Sequence, residues 1–184
     1  MYNPYLTVFV KFLDPTANLP EKKSFEAAAF DLYALEDTTL IPFEVNKVRT
    51  GIAIEVPKGY KGEVYTRSGY GAKGIFVVNQ PGKIDSDYRG EIFVTLLYIP
   101  QNFAHVFNSA IQSMRTFART GGGYGSAIKM VDELKTLQLP TYEIKAKDRI
   151  AQFEIQTVEE TELKLAVELS DTERGSKGFG SSGT

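Results

Sequence analysis

The 184-residue chain has no cysteine and only one histidine, His105. Thiol nucleophiles, disulfides, Cys/His zinc sites and any mechanism that needs two histidines are excluded at once. Catalysis, if there is any, falls to carboxylates and bound water. An excess of charge is also missing, because 21 Lys and Arg stand against 23 Asp and Glu. With neither a net field nor a local basic cluster to hold a duplex, polymeric nucleic acid is not an expected ligand. Nor is there a long apolar run at the start: M-Y-N-P-Y-L-T-V-F-V-K alternates as a strand does and has no basic leader. No signal peptide or membrane span is expected there, and the expected location is the cytoplasm. What remains is the composition of one soluble globular domain.

The pattern along the chain is mostly β. Alternation predicts strands over 6–12, 38–41, 46–49, 51–56, 62–66, 93–99, 141–146 and 163–169, and 147–155 reads as a charged turn followed by an apolar strand, with Pro and Gly between several of them. Short strands at close spacing argue for a sandwich or barrel. Residues 102–119 change period: Phe103, Val106, Phe107, Ala110, Ile111, Met114, Phe117 and Ala118 fall at helical spacing. Ile128, Val131, Leu134 and Leu137 suit a second, shorter helix that stops before Pro140, across the glycine-rich break at 121–125. A helical hairpin is therefore expected inside a β chain. Its apolar stripes suit packing on its own domain, and His105 reads as a surface or capping residue.

Four stretches carry residues of chemical interest. In G-K-I-D-S-D-Y-R-G-E-I, residues 82–92, two carboxylates at i and i+2 precede an aromatic, a cation and a glycine, which reads as a hairpin bent over 85–90. Asp85 and Asp87 are either turn formers or a rigid, partly desolvated base able to take a proton from water. In A-A-A-F-D-L-Y-A-L, residues 27–35, Asp31 sits among apolar neighbours and needs a partner, which is a turn, a metal or a water. Arg67, Ser68 and Gly69 offer a guanidinium, a hydroxyl and free amides, a kit for phosphate oxygens, though R-S-G alone is usually just a turn. The end, E-R-G-S-K-G-F-G-S-S-G-T, cannot build a core and reads either as a plain tail or as a mobile arm whose one aromatic stacks on a flat ligand.

Five segments stand in the order found in the trimeric deoxyuridine triphosphatase (dUTPase) family. A-A-F-D-L-Y-A from Ala28, R-S-G from Arg67 and G-K-I-D-S-D-Y-R-G-E-I from Gly82 resemble its first three motifs; D-R-I-A-Q from Asp148 and R-G-S-K-G-F-G-S-S-G from Arg174 resemble the last two. The resemblance implies an all-β, dUTPase-like jelly-roll over residues 1–172, a helical insertion near 100–140, and a flexible glycine-rich arm over 173–184 that completes the active site. It also implies a homotrimer with three sites, each built from more than one subunit. Asp85 would then activate the water that attacks the α-phosphorus of dUTP. Tyr88 would lie under the deoxyribose, where a ribose 2′-hydroxyl would clash, and Asn79 would read uracil with the backbone after Tyr88. Ser68, Gly69 and Gln152 would hold phosphates, and Arg67 would either join them or support the fold by pairing with a carboxylate. Asp31 would bind waters of a Mg2+ ion. From the arm, Arg174, Gly180, Ser181 and Ser182 would grip the γ-phosphate while Phe179 stacks on uracil.

The chain departs from the family pattern at Ala29 and Lys177, where glycine is usual, and at Tyr70, where leucine or valine is. The insert over 100–140 replaces a short connection and is expected to cover the site rim or to bind a protein partner. Two other readings share much of this pattern: a dCTP deaminase-like enzyme of the same fold, and an idle jelly-roll whose insert engages a regulatory partner. Asp85, Tyr88 and Phe179 favour hydrolysis of dUTP to dUMP and pyrophosphate, which limits uracil in DNA and supplies dUMP for dTMP synthesis.

Overall fold

The computed structural model describes residues 6–103, 108, 111, 112, 114, 115, 119 and 139–176. The described strands are β1 (Phe9–Phe12), β2 (Phe30–Tyr33), β3 (Thr38–Leu40), β4 (Val45–Arg49), β5 (Ile52–Glu55) and β6 (Tyr60–Tyr65). After one helical turn, α1 (Ser68–Gly71), come β7 (Ile75–Val77), β8 (Gly82–Ile84), β9 (Phe93–Tyr98), β10 (Tyr142–Ile144) and β11 (Arg149–Thr157). They form a four-stranded sheet in the order β2-β11-β6-β8, a three-stranded sheet β4-β9-β7, and the pairs β1-β5 and β10-β3. Every ladder is antiparallel.

Period-two sequence sets which side chains go inside. In β9, Val94, Leu96 and Tyr98 are buried while Phe93, Thr95 and Leu97 face outward. The same rule brings Leu32, Leu40, Val48, Ile52, Ile54, Ile75, Ile144 and Ile150 into one core cluster. Fully burying a side chain of this size contributes roughly 1.5–3 kcal/mol, so the core anchors every sheet. The buried aromatic at the uncommon position 70 is at home here. Its ring meets Tyr142 edge-on at 6.1 Å, and Tyr142 in turn accepts a hydrogen bond from Lys73 Nζ at 2.9 Å.

Two expectations are corrected. Residues 82–92 are not a hairpin: β8 pairs with β6, whereas β9 pairs with β4 and β7. The Ile92 amide donates to Ile52 O at 2.8 Å and its side chain is 1% exposed, so the chain leaves β8 for the other sheet instead of folding back. Residues 163–169 form no strand; Leu163, Leu165, Val167 and Leu169 alternate as one would, yet are 94%, 104%, 101% and 89% exposed. Among the described residues, no strand pairs with them. The R-S-G stretch opens the single helical turn α1, and β2 and β7 were not anticipated as strands. The helical hairpin expected within 100–140 lies mostly outside the described residues, as do His105 and Val106. At its start, the Phe103 ring meets Phe43 edge-on at 4.7 Å.

Candidate active site

Two separate groups of side chains account for the described candidates. The first gathers on the outward face of the four-stranded sheet. Asp31 of β2 stands opposite Gln152 of β11, which stands opposite Tyr65 of β6. Antiparallel partners point to the same face, so the three form one row. Asp31 is buried, at 5% exposure, and the partners it needs are two arginines. Arg67 Nε donates to Oδ1 at 2.9 Å and Arg149 Nη1 to Oδ2 at 3.1 Å, while Arg67 Nη1 also donates to Arg149 O at 3.0 Å. This is the supporting role foreseen as one option for Arg67. Arg149 was missed as a partner, although it stands inside D-R-I-A-Q three residues before Gln152.

With Arg67 held in this way, the turn that begins at Ser68 is held too. The amides of Tyr70 and Gly71 return to Arg67 O, both at 2.9 Å, which leaves the Ser68 and Gly69 amides at the open end of the turn. Ser68 and Gly69 are exposed, and a Cβ built at Gly69 would meet nothing within 4 Å. Farther along the row, Glu63 is 6% exposed and held by Lys61 Nζ at 2.8 Å and by the Tyr65 hydroxyl. Lys61, then Tyr65, lower the Glu63 pKa, and the hydrogen bond to Glu63 pushes Tyr65 up to about 12. Tyr65 therefore stays a neutral donor beside Gln152.

The second group lies beyond β8. Asp85 is exposed, and its backbone oxygen accepts from the Tyr88 amide at 3.1 Å. The enclosure expected for a base is thus not supplied within one chain. Asp85 and Tyr88 line a cleft of about 300 Å3 together with Lys47, Lys83, Glu91 and Phe93. Asn79 belongs to this group: its Oδ1 accepts from Thr95 Oγ1 at 3.0 Å, and its amide packs where a Cβ at Gly82 would sit, 3.1 Å away. A larger cavity, about 450 Å3, is lined by Val8, Val10, Ala28, Phe30, Phe153 and Ile155 among others, and holds no candidate residue.

Register gives the separation of the two groups. Asp31 is level with Tyr65, whereas Gly62 pairs with Ile84, so Asp85 is level with Lys61, four residues along. Four residues along and three strands across amount to roughly 20 Å. The arm contributes Arg174 to the described residues, in a turn where the Gly175 amide donates to Thr172 O at 3.0 Å. Phe179, Gly180, Ser181 and Ser182 lie outside the described residues. Among the described residues no helix is long and apolar enough to cross a membrane, and no three His, Cys, Asp or Glu side chains gather as a metal site.

Comparison with known proteins gives the family. The sequence model described as dUTPase matches residues 16–103 and 136–183, so the family pattern stops and resumes on either side of an insert. The deoxyuridine 5′-triphosphate nucleotidohydrolase of Nautilia profundicola is 37% identical over 175 residues, covering 95% of this chain and 96% of the relative. That of Hydrogenobaculum sp. is 34% identical over 180 residues, covering 97% and 99%. Among solved structures, the dUTPase of Staphylococcus bacteriophage 80alpha with dUPNHPP superposes with a TM-score of 0.73 at 26% identity, covering 97% of this chain and 99% of that one. With its motifs, its mostly β-strand fold and these matches over nearly the whole chain in agreement, the chain belongs to the dUTPase family.

Proposed function

We propose that this chain hydrolyses dUTP to dUMP and pyrophosphate, the reaction of its family, in sites shared between copies of a homotrimer. The observation that carries the shared site is the strand register, which by ideal strand spacings puts Asp85 roughly 20 Å from Asp31, well beyond the span of one triphosphate group. A substrate that uses both groups must take the Asp85 loop from one copy and the Arg67 turn from another. Such a contact joins unlike surfaces, which a threefold rotation closes into a ring. Association also covers what one chain leaves bare: the outward apolar face of the β4-β9-β7 sheet, with Val45 and Phe76 62% and 41% exposed, the 450 Å3 apolar cavity, and the alternating Leu163 to Leu169.

In this reading the uracil edge is read by Asn79 and the backbone after Tyr88, and the Tyr88 ring supports the deoxyribose. The open amides at Ser68 and Gly69, the Ser68 hydroxyl and Gln152 receive phosphate oxygens. Arg67 acts through Asp31, since its guanidinium is spent on Asp31 and Arg149 O. Asp85 accepts the proton of the water aimed at the α-phosphorus, and closure by a neighbouring copy and the arm gives the exposed carboxylate the enclosure that makes a base effective. Arg174, Gly180, Ser181 and Ser182 close on the γ-phosphate, and Phe179 covers uracil.

Enzymes of this family generally use magnesium. Both Asp31 oxygens already accept from arginines, so the side chain suits an ion held by triphosphate oxygens and water, with Asp31 touching only the water. Bound there, the ion would neutralise charge on the triphosphate. The residues 1–172 then form the catalytic β domain and 173–184 its closing arm, while the insert near 100–140 stands outside the chemistry as a rim element or a protein-binding appendage. The test is incubation with dUTP or dCTP plus magnesium and separation of the products. Formation of dUMP and pyrophosphate from dUTP alone is expected. A uracil nucleotide from dCTP would mark a deaminase, and no product from either an idle binding protein.

A further inference from the structure

The Tyr88 ring is held in place by its chain neighbours Gly90 and Glu91, and Glu91 in turn by Arg49. Its hydroxyl donates to Glu91 O at 3.0 Å, and the ring lies across the backbone of Gly90. A Cβ built at Gly90 would collide with the Tyr88 hydroxyl and come within 2.6 Å of Cζ and 3.0 Å of Cε2. Only glycine leaves that seat free. The acceptor for the hydroxyl is itself fixed from below. Arg49 Nε donates to both Glu91 oxygens at 3.2 and 3.3 Å, Arg49 Nη2 donates to Oε2 at 3.2 Å, and the Gly51 amide donates to Oε1 at 2.9 Å. The Glu91 side chain is 12% exposed and that of Arg49 40%, so water screens the arginine end while the carboxylate is held in place by three donors, Arg49 Nε, Arg49 Nη2 and the Gly51 amide. Residue 92 is tied to β5 as well, through the Ile92 amide and Ile52 O at 2.8 Å.

We infer that Gly90, Glu91 and Arg49 are positioning residues that set the height of the Tyr88 ring and thereby the discrimination between deoxyribose and ribose. The inference rests on the dUTP reading. A sugar filter that works by contact must place a flat surface to within a fraction of an ångström, because an added hydroxyl is rejected only if nothing can give way. Here the ring has two independent restraints, a seat and a hydroxyl tether. The tether uses the Tyr88 proton, so the ring face and not the hydroxyl meets the sugar. Gly90→Ala removes the seat by pushing the ring outward; Arg49→Met loosens the residue that carries the tether.

The experiment measures kcat/KM for dUTP and for UTP, with thermal unfolding alongside. Gly90→Ala is expected to lower the dUTP/UTP ratio by about tenfold or more with the folded protein retained, and Arg49→Met to lower it in the same direction by less. In a Tyr88→Ala background, where there is no ring to position, Gly90→Ala is expected to leave the ratio unchanged. Should Gly90→Ala not fold, Arg49→Met with and without Tyr88→Ala gives the same comparison. An unchanged ratio in the Tyr88 protein, or the same fall in the Tyr88→Ala background, would overturn the inference while leaving dUTP hydrolysis intact. A wild-type protein inert toward dUTP would overturn the underlying reading and this inference with it.

Discussion

Replacing Arg67 by methionine keeps the bulk of the stem and removes the guanidinium that holds Asp31. The Asp31 side chain is 7% exposed, with one oxygen on Arg67 at 2.9 Å and the other on Arg149 at 3.1 Å. Stripping a buried ion of its only partner costs about 3–5 kcal/mol. Arg149 remains, but it is 41% exposed and screened by water, and Arg67 is itself 22% exposed. About half of the full loss, ~2 kcal/mol, is the reasonable expectation. For a chain of this length that lowers Tm by about 4–8 °C. Unfolding is followed without ligand and at one fixed protein concentration, because association between copies moves Tm. Asp31→Asn in the same protein removes the stranded charge, so the double variant should lose less than the sum of the single losses. A Tm within about 1 °C of wild type, or strict additivity, would refute the claim that Arg67 works by pairing with Asp31.

Truncation before Arg174 should leave assembly intact and reduce dUTP turnover sharply, read by gel filtration and product formation, with Phe179→Ala a milder version; unchanged kinetics would make the arm a plain tail. Replacing 104–138 by a short Gly/Ser turn keeps the Phe103–Phe43 contact and should spare both assembly and dUTP hydrolysis; an assembled protein without turnover would put the insert in the site wall. Glu63 has a lowered pKa, first through Lys61. Its stabilisation is present above the ordinary carboxylate value of 4.5 and is lost as pH falls below it. Stability of Glu63→Gln should therefore vary less between pH 5 and pH 3 than that of wild type in denaturant titrations, and an equal dependence would contradict the pairing.

The parts of the fold legible in the sequence were those where a local pattern and a long-range partner agree. β9 shows it best: its alternation is buried on one side and meets β4 and β7 in the register that alternation implies. Residues 82–92 show the opposite. The turn-forming residues are real, but the partner of each flanking strand is set by a distant segment, β6 for one and β4 for the other, which no local pattern records. Residues 163–169 carry a strand pattern with no pairing strand among the described residues, so alternation alone was not enough to make a strand there. In the site, Asp31 was legible because a carboxylate among apolar residues must be matched; its double match by Arg67 and Arg149 was not, since it depends on β11 lying beside β2. The family motifs located Asp85, but its exposure in one copy follows from how the sheets divide the chain.

The central claim is that Asp85 takes a proton from the attacking water, and one substitution addresses it. Asp85→Asn keeps the size of the side chain and leaves the backbone bond from the Tyr88 amide to Asp85 O in place while removing the basicity. Turnover of dUTP with magnesium should fall by about a thousandfold or more, with dUTP binding nearly unchanged, because the carboxylate acts on water and not on the nucleotide. Retention of about a tenth or more of wild-type turnover would contradict the assignment and move the base elsewhere.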